Sequence, residues 1–299
     1  MADINVKFNP SSTVGVSLDN PSDIPVLLNP SSLISMNIPS DIVSLSYCAE
    51  FQAVYDSWTT KPESADATTW DTMVAALVDG GYWIRFDVFA FMAIHTNANG
   101  EALKWWNDPT KTMVEYNAPT FTAFEGFNSG ALGYIDIDYN PFTDGVNYTQ
   151  NKNSVAVYNR GNNQAAGWDI GGTDSTTYTN LACRWTNDNA YCKNNNNLQP
   201  SGANPDCLGL NINDRPDAGN NAIYRNNVQI VTQARAAAAI PDISFYLDSF
   251  NNNGVVYATR TNRQKAYAWI GDSFSTAERL DIQTICETAL DEKSKGVIS

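Results

Sequence analysis

The sequence predicts a mainly β protein with an N-terminal β arm, a small helical segment and a two-sheet sandwich that ends in a helix. Residues 119–272 alternate short apolar strands with Gly/Asn turns at a spacing of roughly 8 to 12 residues, which is the pattern of a sandwich. Apolar residues recur at helical spacing within 40–118, and Asn-Pro-Ser turns repeat within 1–39. We therefore expect an arm at 1–39, a helical segment at 40–118 and a sandwich with its terminal helix at 119–299.

The composition limits the classes of partner. Only 17% of the 299 residues are charged, against about 25% in an average soluble protein, and neutral polar residues take their place. Such a composition is typical of extracellular or particle-surface β proteins. The net charge is −14, whereas a nucleic-acid-binding protein needs a basic surface to neutralise phosphates. Nucleic acid and anionic membranes are thus disfavoured as partners, and calcium, neutral sugars or another protein remain open.

The chain carries no recognisable membrane or export signal. No run of about 18 apolar residues occurs, so no membrane span is predicted. Residues 1–20 lack the basic start and apolar centre of a secretory signal. A surface-type composition without an export signal suits a virion protein, which is made inside the host cell and released by lysis.

The arm at 1–39 is defined by proline turns. Asn or Asp before Pro favours a turn, and Pro removes a donor from a strand ladder. The short apolar runs between these turns are too small to bury a core of their own. We therefore interpret the segment as an anchor arm that packs on another surface. Its marker residues are Asn9, Pro10, Asn20, Pro21, Asn29 and Pro30.

The segment at 40–118 is predicted to be helical. Ser40 and Asp41 form a good N-cap pair before a first apolar stripe, and a second helix is expected from about Asp66 until the glycines at 80–81. A third apolar stretch runs from 82 to 95 and ends at the lone histidine of the chain. With no second histidine and no nearby nucleophile, that residue is predicted to be structural.

The sandwich is expected to contain seven or more strands. Asn226-Asn227 predicts a hairpin turn, Ser275 is expected to cap the terminal helix, and the alanine-rich stretch at 234–240 is expected to be a loop. The predicted strands are 122–128, 133–139, 154–160, 165–172, 222–231, 242–250 and 265–271.

Two aspartates are spaced like strand neighbours. Asp136 and Asp138 are expected to project from the same face of a strand. Paired carboxylates of this kind perform acid and nucleophile roles in jelly-roll glucanases, but the glutamates that would complete that pattern are missing here. The alternatives are a polar outer face or a calcium site with Asp144 as a further ligand, since calcium takes several oxygen ligands.

The Asn-, Gly- and Pro-rich stretch at 186–221 is predicted to form a long exposed loop at one end of the sandwich. Trp185 and Tyr191 flank it, and aromatic rings beside asparagine amides suit sugar recognition; the alternative is simple packing. The spacing of Cys183, Cys192 and Cys207 matches no zinc pattern. We expect mostly buried thiols, with a loop disulfide among these three as the alternative.

Three segments together resemble a group of bacteriophage virion proteins. These segments are Leu103–Pro109 ("LKWWNDP"), Phe121–Asp136 ("FTAFEGFNSGALGYID") and Ile270–Glu278 ("IGDSFSTAE"). The group carries a concanavalin A-like (laminin-G-like) jelly-roll domain preceded by helices, and the resemblance covers about residues 65–292. It implies a non-enzymatic virion surface component such as a spike, fibre or decoration protein. The insertion near 180–215 departs from the pattern of the group.

The resulting expectation is a protein of the virion surface. The arm would bind other virion proteins, copies of the chain would form a homo-oligomer, and the jelly-roll domain would face outward and bind host surface glycans. No cofactor is expected apart from the calcium left open above. The alternative is a carbohydrate-binding module or a glycoside hydrolase with the same sandwich fold.

Overall fold

The protein folds as a sandwich of two largely antiparallel β sheets in a computed structural model that describes residues 47–298. The anchor-arm residues and the start of the first expected helix lie outside the described residues. The strands are β1 Phe86–Phe91, β2 Val114–Tyr116, β3 Thr120–Thr122, β4 Gly126–Asn128, β5 Tyr134–Asp136, β6 Asn153–Asn159, β7 Ile170–Thr173, β8 Tyr178–Ala182, β9 Asn189–Asn194, β10 Ser201–Ala203, β11 Gly209–Asp217, β12 Asn220–Arg225, β13 Val228–Ala234, β14 Tyr246–Leu247, β15 Asn251–Asn252, β16 Val255–Val256 and β17 Lys265–Gly271.

The two sheets have distinct strand orders. The first sheet runs β13-β12-β11-β6-β17-β4-β3, with β1 also paired to β17. The second sheet runs β10-β9-β8-β7-β14-β5-β2, and the small β15–β16 hairpin lies beside β7. The predicted mainly β jelly-roll sandwich is therefore confirmed.

The helices are α1 Ala49–Ser57, α2 Ser64–Asp79, the short α3 Pro141–Asp144 and α4 Thr276–Asp291. Helix α4 packs on the first sheet, α2 packs on α4, and α3 follows β5 of the second sheet. The Tyr158 hydroxyl of β6 donates to Glu287 of α4, and Lys293 just after α4 lies 2.6 Å from Asp66 of α2. Because α4 and the second sheet enclose it, β6 is buried along its whole length. No helix within residues 47–298 is long and apolar enough to cross a bilayer.

The expected helical segment is partly a strand. The second predicted helix is confirmed at Ser64–Asp79, whereas the first helix begins only at Ala49, after its N-cap Cys48, and not directly after the Ser40-Asp41 pair. The apolar stretch at 82–95 contains β1, which pairs with β17. A continuous apolar run cannot be assigned to helix or strand by periodicity alone. Here Phe89 and Phe91 pack on Tyr267 of β17, with ring centroids 6.4 and 5.9 Å away, so the strand is buried between neighbours.

Local signals at the ends of elements were reliable. Ser275 and Glu278 form the capping box that begins α4, each side chain bonded to the backbone N–H of the other. Asn226 and Asn227 have φ of 48° and 62°, as a tight hairpin turn between β12 and β13 requires. The stretch at 235–241 contains no helix, as expected.

The Asn-rich stretch at 186–221 is not a long exposed loop; that expectation was wrong. It supplies β9, β10 and the central strand β11. Asn213 of β11 is fully buried, and its amide nitrogen donates to the carbonyls of Asn180 (3.0 Å) and Lys193 (2.7 Å) in the second sheet. Arg215 likewise donates to the Asn194 carbonyl at 2.6 Å. These buried amides are tolerated because they satisfy backbone acceptors between the sheets.

All five cysteines are free thiols, and the loop disulfide is absent from the structure. Cys183, Cys192 and Cys207 have no exposed surface. Burial raises the pKa of Cys192 to about 12 and that of Cys207 to about 11. These three residues act as small apolar core residues.

Candidate functional site

The outer face of the second sheet is defined by strand alternation. In β9, Cys192 and Asn194 point into the sandwich and are fully buried, so Tyr191 and Lys193 point outward and are partly exposed. In β5, Ile135 belongs to the main core, so its neighbours Tyr134 and Asp136 lie on the outer face. This face carries most of the aromatic side chains that the main core does not use.

Five aromatic rings cluster around Ala182 of β8. Trp168 packs edge-on against both Trp185 and Phe250, with each pair of ring centroids 5.7 Å apart. The cluster extends on one side to Tyr191, 5.7 Å from Trp185, and on the other to Tyr257, 4.8 Å from Phe250. Trp168 and Phe250 are buried, whereas Trp185, Tyr191 and Tyr257 are partly exposed. The rings thus form a shallow apolar surface open to solvent.

A second group of rings continues across β5 and β14. Tyr116 and Tyr134 stack with centroids 4.8 Å apart and planes 6° apart, and Tyr246 lies 4.9 Å from Tyr134. Arg260 connects the two groups, because its guanidinium lies 5.3 Å from the Tyr134 ring while its Nη1 donates to the Tyr257 carbonyl. Burial, together with the nearby Asp136 carboxylate, raises the pKa of Tyr246 to about 12.

We call these eight residues the aromatic band. They are Tyr116, Tyr134, Trp168, Trp185, Tyr191, Tyr246, Phe250 and Tyr257. The band runs from β2 to β9, which are five strand spacings apart in the sheet order, or roughly 24 Å at about 4.8 Å per spacing. Its length matches an extended ligand better than a single small molecule.

The sequence-predicted ligand residues, Trp185 and Tyr191, both lie in this band. The Tyr191 hydroxyl accepts a hydrogen bond from the Asn187 amide at 2.8 Å, so ring and amide are neighbours as the sugar hypothesis requires. Sequence reasoning missed the other six rings, because they lie in or next to different strands and only the pairing of those strands brings them together. The one sequence feature that pointed to them is the alternation of "YID" at 134–136, which places Tyr134 and Asp136 on the same face of a strand.

The three predicted metal ligands do not converge. Asp136 is the last residue of β5, and its carboxylate accepts from the Asp138 backbone N–H at 2.9 Å and from the Ser244 hydroxyl. Asp138 has φ of 59°, so the strand ends before it. Contrary to the prediction, the Asp136 and Asp138 side chains do not lie on the same face of a strand. Asp144 instead accepts from the Asn140 N–H at 2.9 Å. Within residues 47–298 no group of three side chains is arranged to hold a metal ion.

His95 packs in the helical part of the core. Its ring lies 5.7 Å from the rings of both Trp58 and Trp70, and its Nε2 lies 2.9 Å from the Thr60 carbonyl oxygen. These contacts agree with the structural role predicted for this residue.

Comparison with known proteins yields similar folds but no family. No family model matches the chain, and no curated protein matches it. Among solved structures, domain 4 of the extracellular GH43 arabinanase AbnA from Geobacillus stearothermophilus is 10% identical, with a TM-score of 0.45 over 67% of this chain and 98% of its own. The Ruminococcus gnavus IT-sialidase CBM40 is 12% identical, with a TM-score of 0.40 over 57% of this chain and 98% of its own.

A larger enzyme is similar in part. The Trypanosoma rangeli sialidase is 12% identical with a TM-score of 0.46 over 79% of this chain, which spans only 40% of the sialidase. At such low identities and scores these similarities assign no residue roles to this chain.

Proposed function

We propose that the protein binds carbohydrate through the aromatic band on the outer face of its second sheet. The observation that carries this proposal is the cluster of partly exposed rings beside polar side chains, above all Trp185 and Tyr191 next to the Asn187 amide. Ligand sites combine apolar surface with a few fixed polar groups. The apolar faces of sugar rings can lie on such aromatic surfaces while their hydroxyls bond to the flanking amides.

We further propose that the protein is a non-enzymatic component of a bacteriophage surface. The sequence resemblance to virion jelly-roll proteins and the low fraction of charged residues support this role. In that setting residues 1–39 anchor the chain to other virion proteins, copies of the chain form a homo-oligomer, and the aromatic band contacts glycans of the host surface.

The binding proposal is tested on a glycan array followed by titration calorimetry. Trp185→Ala and Tyr191→Ala should each weaken binding at least about tenfold, since stacking on an aromatic face commonly contributes more than 1.4 kcal/mol. Phe142→Ala is the matched control, because this aromatic side chain is 63% exposed and lies outside the band. Equal losses in all three variants, or no binding of any glycan by the wild type, would contradict the proposal.

The virion proposal is tested on purified particles. Mass spectrometry should detect this chain in particles, and deletion of residues 1–39 should abolish incorporation while circular dichroism shows a folded protein. Absence of the chain from particles would overturn the virion role without touching the sugar-binding proposal.

The non-enzymatic assignment has its own test. Glycans that bind should be recovered at full length after prolonged incubation with the protein, as judged by reducing-end assay. Release of reducing ends that Asp136→Asn abolishes would instead establish a glycoside hydrolase.

A further inference from the structure

Lys193 is a cation on the ligand face without a carboxylate partner among the described residues. Its ammonium lies 3.6 Å from the centroid of the Tyr178 ring, and none of the ion pairs within residues 47–298 includes it. By contrast, Lys152 and Lys295 each lie within 3.0 Å of a carboxylate oxygen. Partial burial lowers the pKa of Lys193. In a chain with net charge −14, this half-buried ammonium has no carboxylate among the described residues to neutralise it, so an anion from outside can pair with it.

Asn180 is the residue directly opposite Lys193 in the β8–β9 ladder. Its sequence neighbours Thr179 and Leu181 are fully buried on the inner face, so the Asn180 side chain lies on the outer face. That side chain is only 1% exposed, and neither its amide nitrogen nor its amide oxygen has a hydrogen-bond partner. A buried polar group without a partner costs about 1–3 kcal/mol, so this amide is an unfilled donor and acceptor pair.

Lys193 is the direct cross-strand neighbour of this amide. The Lys193 backbone lies opposite Asn180, while its ammonium rests on Tyr178, two residues away on the same face of β8. Lys193 and Tyr178 are thus both neighbours of Asn180 on the outer face. If the ammonium left the ring, we expect the amide to become accessible beside Tyr191 and the rest of the aromatic band.

We propose that Lys193 and Asn180 form a subsite for a carboxylate-bearing sugar, so that the glycan bound by the band is an acidic one that contains uronic acid. The ligand carboxylate draws the Lys193 ammonium from Tyr178 and pairs with it. The uncovered Asn180 amide then donates to one ligand hydroxyl and accepts from the next. This proposal rests on the proposed sugar-binding function and adds the charge of the ligand to it.

The rest of the face restricts where the acidic sugar binds. Asp136 lies in the same row of paired residues across the sheet as Asn180 and Lys193. Asp136 pairs with Tyr246, which pairs with Gly171, and Gly171 pairs with Asn180. A carboxylate near Asp136 would be repelled. The acidic sugar therefore belongs at the β9 end of the band, and neutral sugars belong toward β5.

The test compares three polyuronates, polygalacturonate, alginate and hyaluronan, with the same polymers after chemical reduction of their carboxyl groups. Titration calorimetry on the full chain should show binding of at least one native polymer and at least about tenfold weaker binding of its reduced form. Lys193→Met keeps the aliphatic stem on Tyr178 and should weaken binding to the same extent, whereas Lys193→Arg should restore it. Asn180→Ala should also weaken binding of the native polymer, but the protein should still prefer the native polymer to its reduced form.

Lys61→Met is the matched control, because Lys61 also lies over a tyrosine ring, 4.5 Å from the centroid of Tyr55, away from the band. It should leave binding unchanged. If a reduced or otherwise neutral glycan binds equally well and Trp185→Ala abolishes that binding while Lys193→Met does not, the acidic subsite is wrong and the sugar-binding proposal stands. If no polymer binds in either form, the subsite proposal is overturned; if the glycan array is negative as well, the proposed function falls with it.

Discussion

The carboxylate of Asp169 lies 2.6 Å from the guanidinium of Arg263, and neither side chain has any exposed surface. The other oxygen of the same carboxylate lies 2.8 Å from the ammonium of Lys265, which also pairs with Asp248. Asp169 directly precedes β7 of the second sheet, and Lys265 begins β17 of the first. The buried ion cluster therefore ties the two sheets together, and Asp169 directly follows Trp168 of the aromatic band.

Removal of one charge from this cluster is expected to be costly. Asp169→Asn leaves Arg263 and Lys265 buried beside a neutral amide, so the free energy of unfolding should fall by about 3–5 kcal/mol in urea titrations. Asp206→Asn is the matched control, because it breaks a surface pair with Arg225 and should cost about 1 kcal/mol or less. Similar midpoints for the two variants would contradict the assigned role of the cluster.

Asp214 predicts a pH dependence of stability. This carboxylate of β11 is fully buried, its nearest cation is Arg279 at 3.5 Å, and burial raises its pKa from 3.8 to about 7. The folded protein therefore keeps a proton that the unfolded chain releases. The stabilisation is fully present below about pH 4 and is lost as the pH rises through 7, by up to about 4 kcal/mol.

The variant Asp214→Asn isolates this effect. It should come close to the wild type in stability at pH 4 and exceed it at pH 8, as measured by urea unfolding at both pH values. A difference between the two proteins that does not vary with pH would show that Asp214 is already ionised in the folded state.

Gly171 is expected to tolerate no side chain. Its φ is 138°, and a Cβ at this position would lie 2.1 Å from the Thr179 carbonyl oxygen on β8. Gly171→Ala should therefore separate β7 from β8 and lower the melting temperature strongly. Gly254→Ala is the control: its φ is also positive, at 84°, but a Cβ there meets nothing within 4 Å. Gly254→Ala should lower the free energy of unfolding by only about 1 kcal/mol. Equal effects of the two substitutions would show that the positive φ, rather than the contact with Thr179, causes the destabilisation.

The capping box of α4 gives a fourth prediction. Ser275→Ala removes the hydroxyl that accepts from the Glu278 N–H, and should lower the free energy of unfolding by about 1 kcal/mol. Thr284→Ala is the control within the same helix, since its exposed hydroxyl bonds only to a helical carbonyl. A larger loss in the control would show that the cap does not stabilise this end of the helix.

Local sequence signals predicted local structure well and the site only partly. Ser275 at the start of α4 and the Asn226-Asn227 turn were predicted correctly because each depends on its immediate neighbours. The run at 86–91 was misassigned because a strand buried on both faces has no period-2 pattern. Asn213 was misread because an asparagine that bonds to the carbonyls of the opposite sheet looks, in sequence, like one in a loop.

The same limit applied to the outer face of the second sheet. Trp185 and Tyr191 were found because they are near each other in the chain and flank an Asn-rich stretch. Tyr116, Tyr134 and Tyr246 are up to 130 residues apart, and only the pairing of β2, β5 and β14 stacks their rings. Nothing in the sequence shows that Lys193 lies directly opposite Asn180 on the neighbouring strand.

The two hydrogen bonds of Asn213 have a consequence for the opposite side of the molecule. They hold the carbonyls of Asn180 and Lys193, which face each other on β8 and β9, to a single amide of β11. A shift of β9 by one residue would turn Cys192 outward and Tyr191 inward. The buried amide opposes that shift, so the aromatic band on the outer face is kept in register by a side chain that lies between the two sheets.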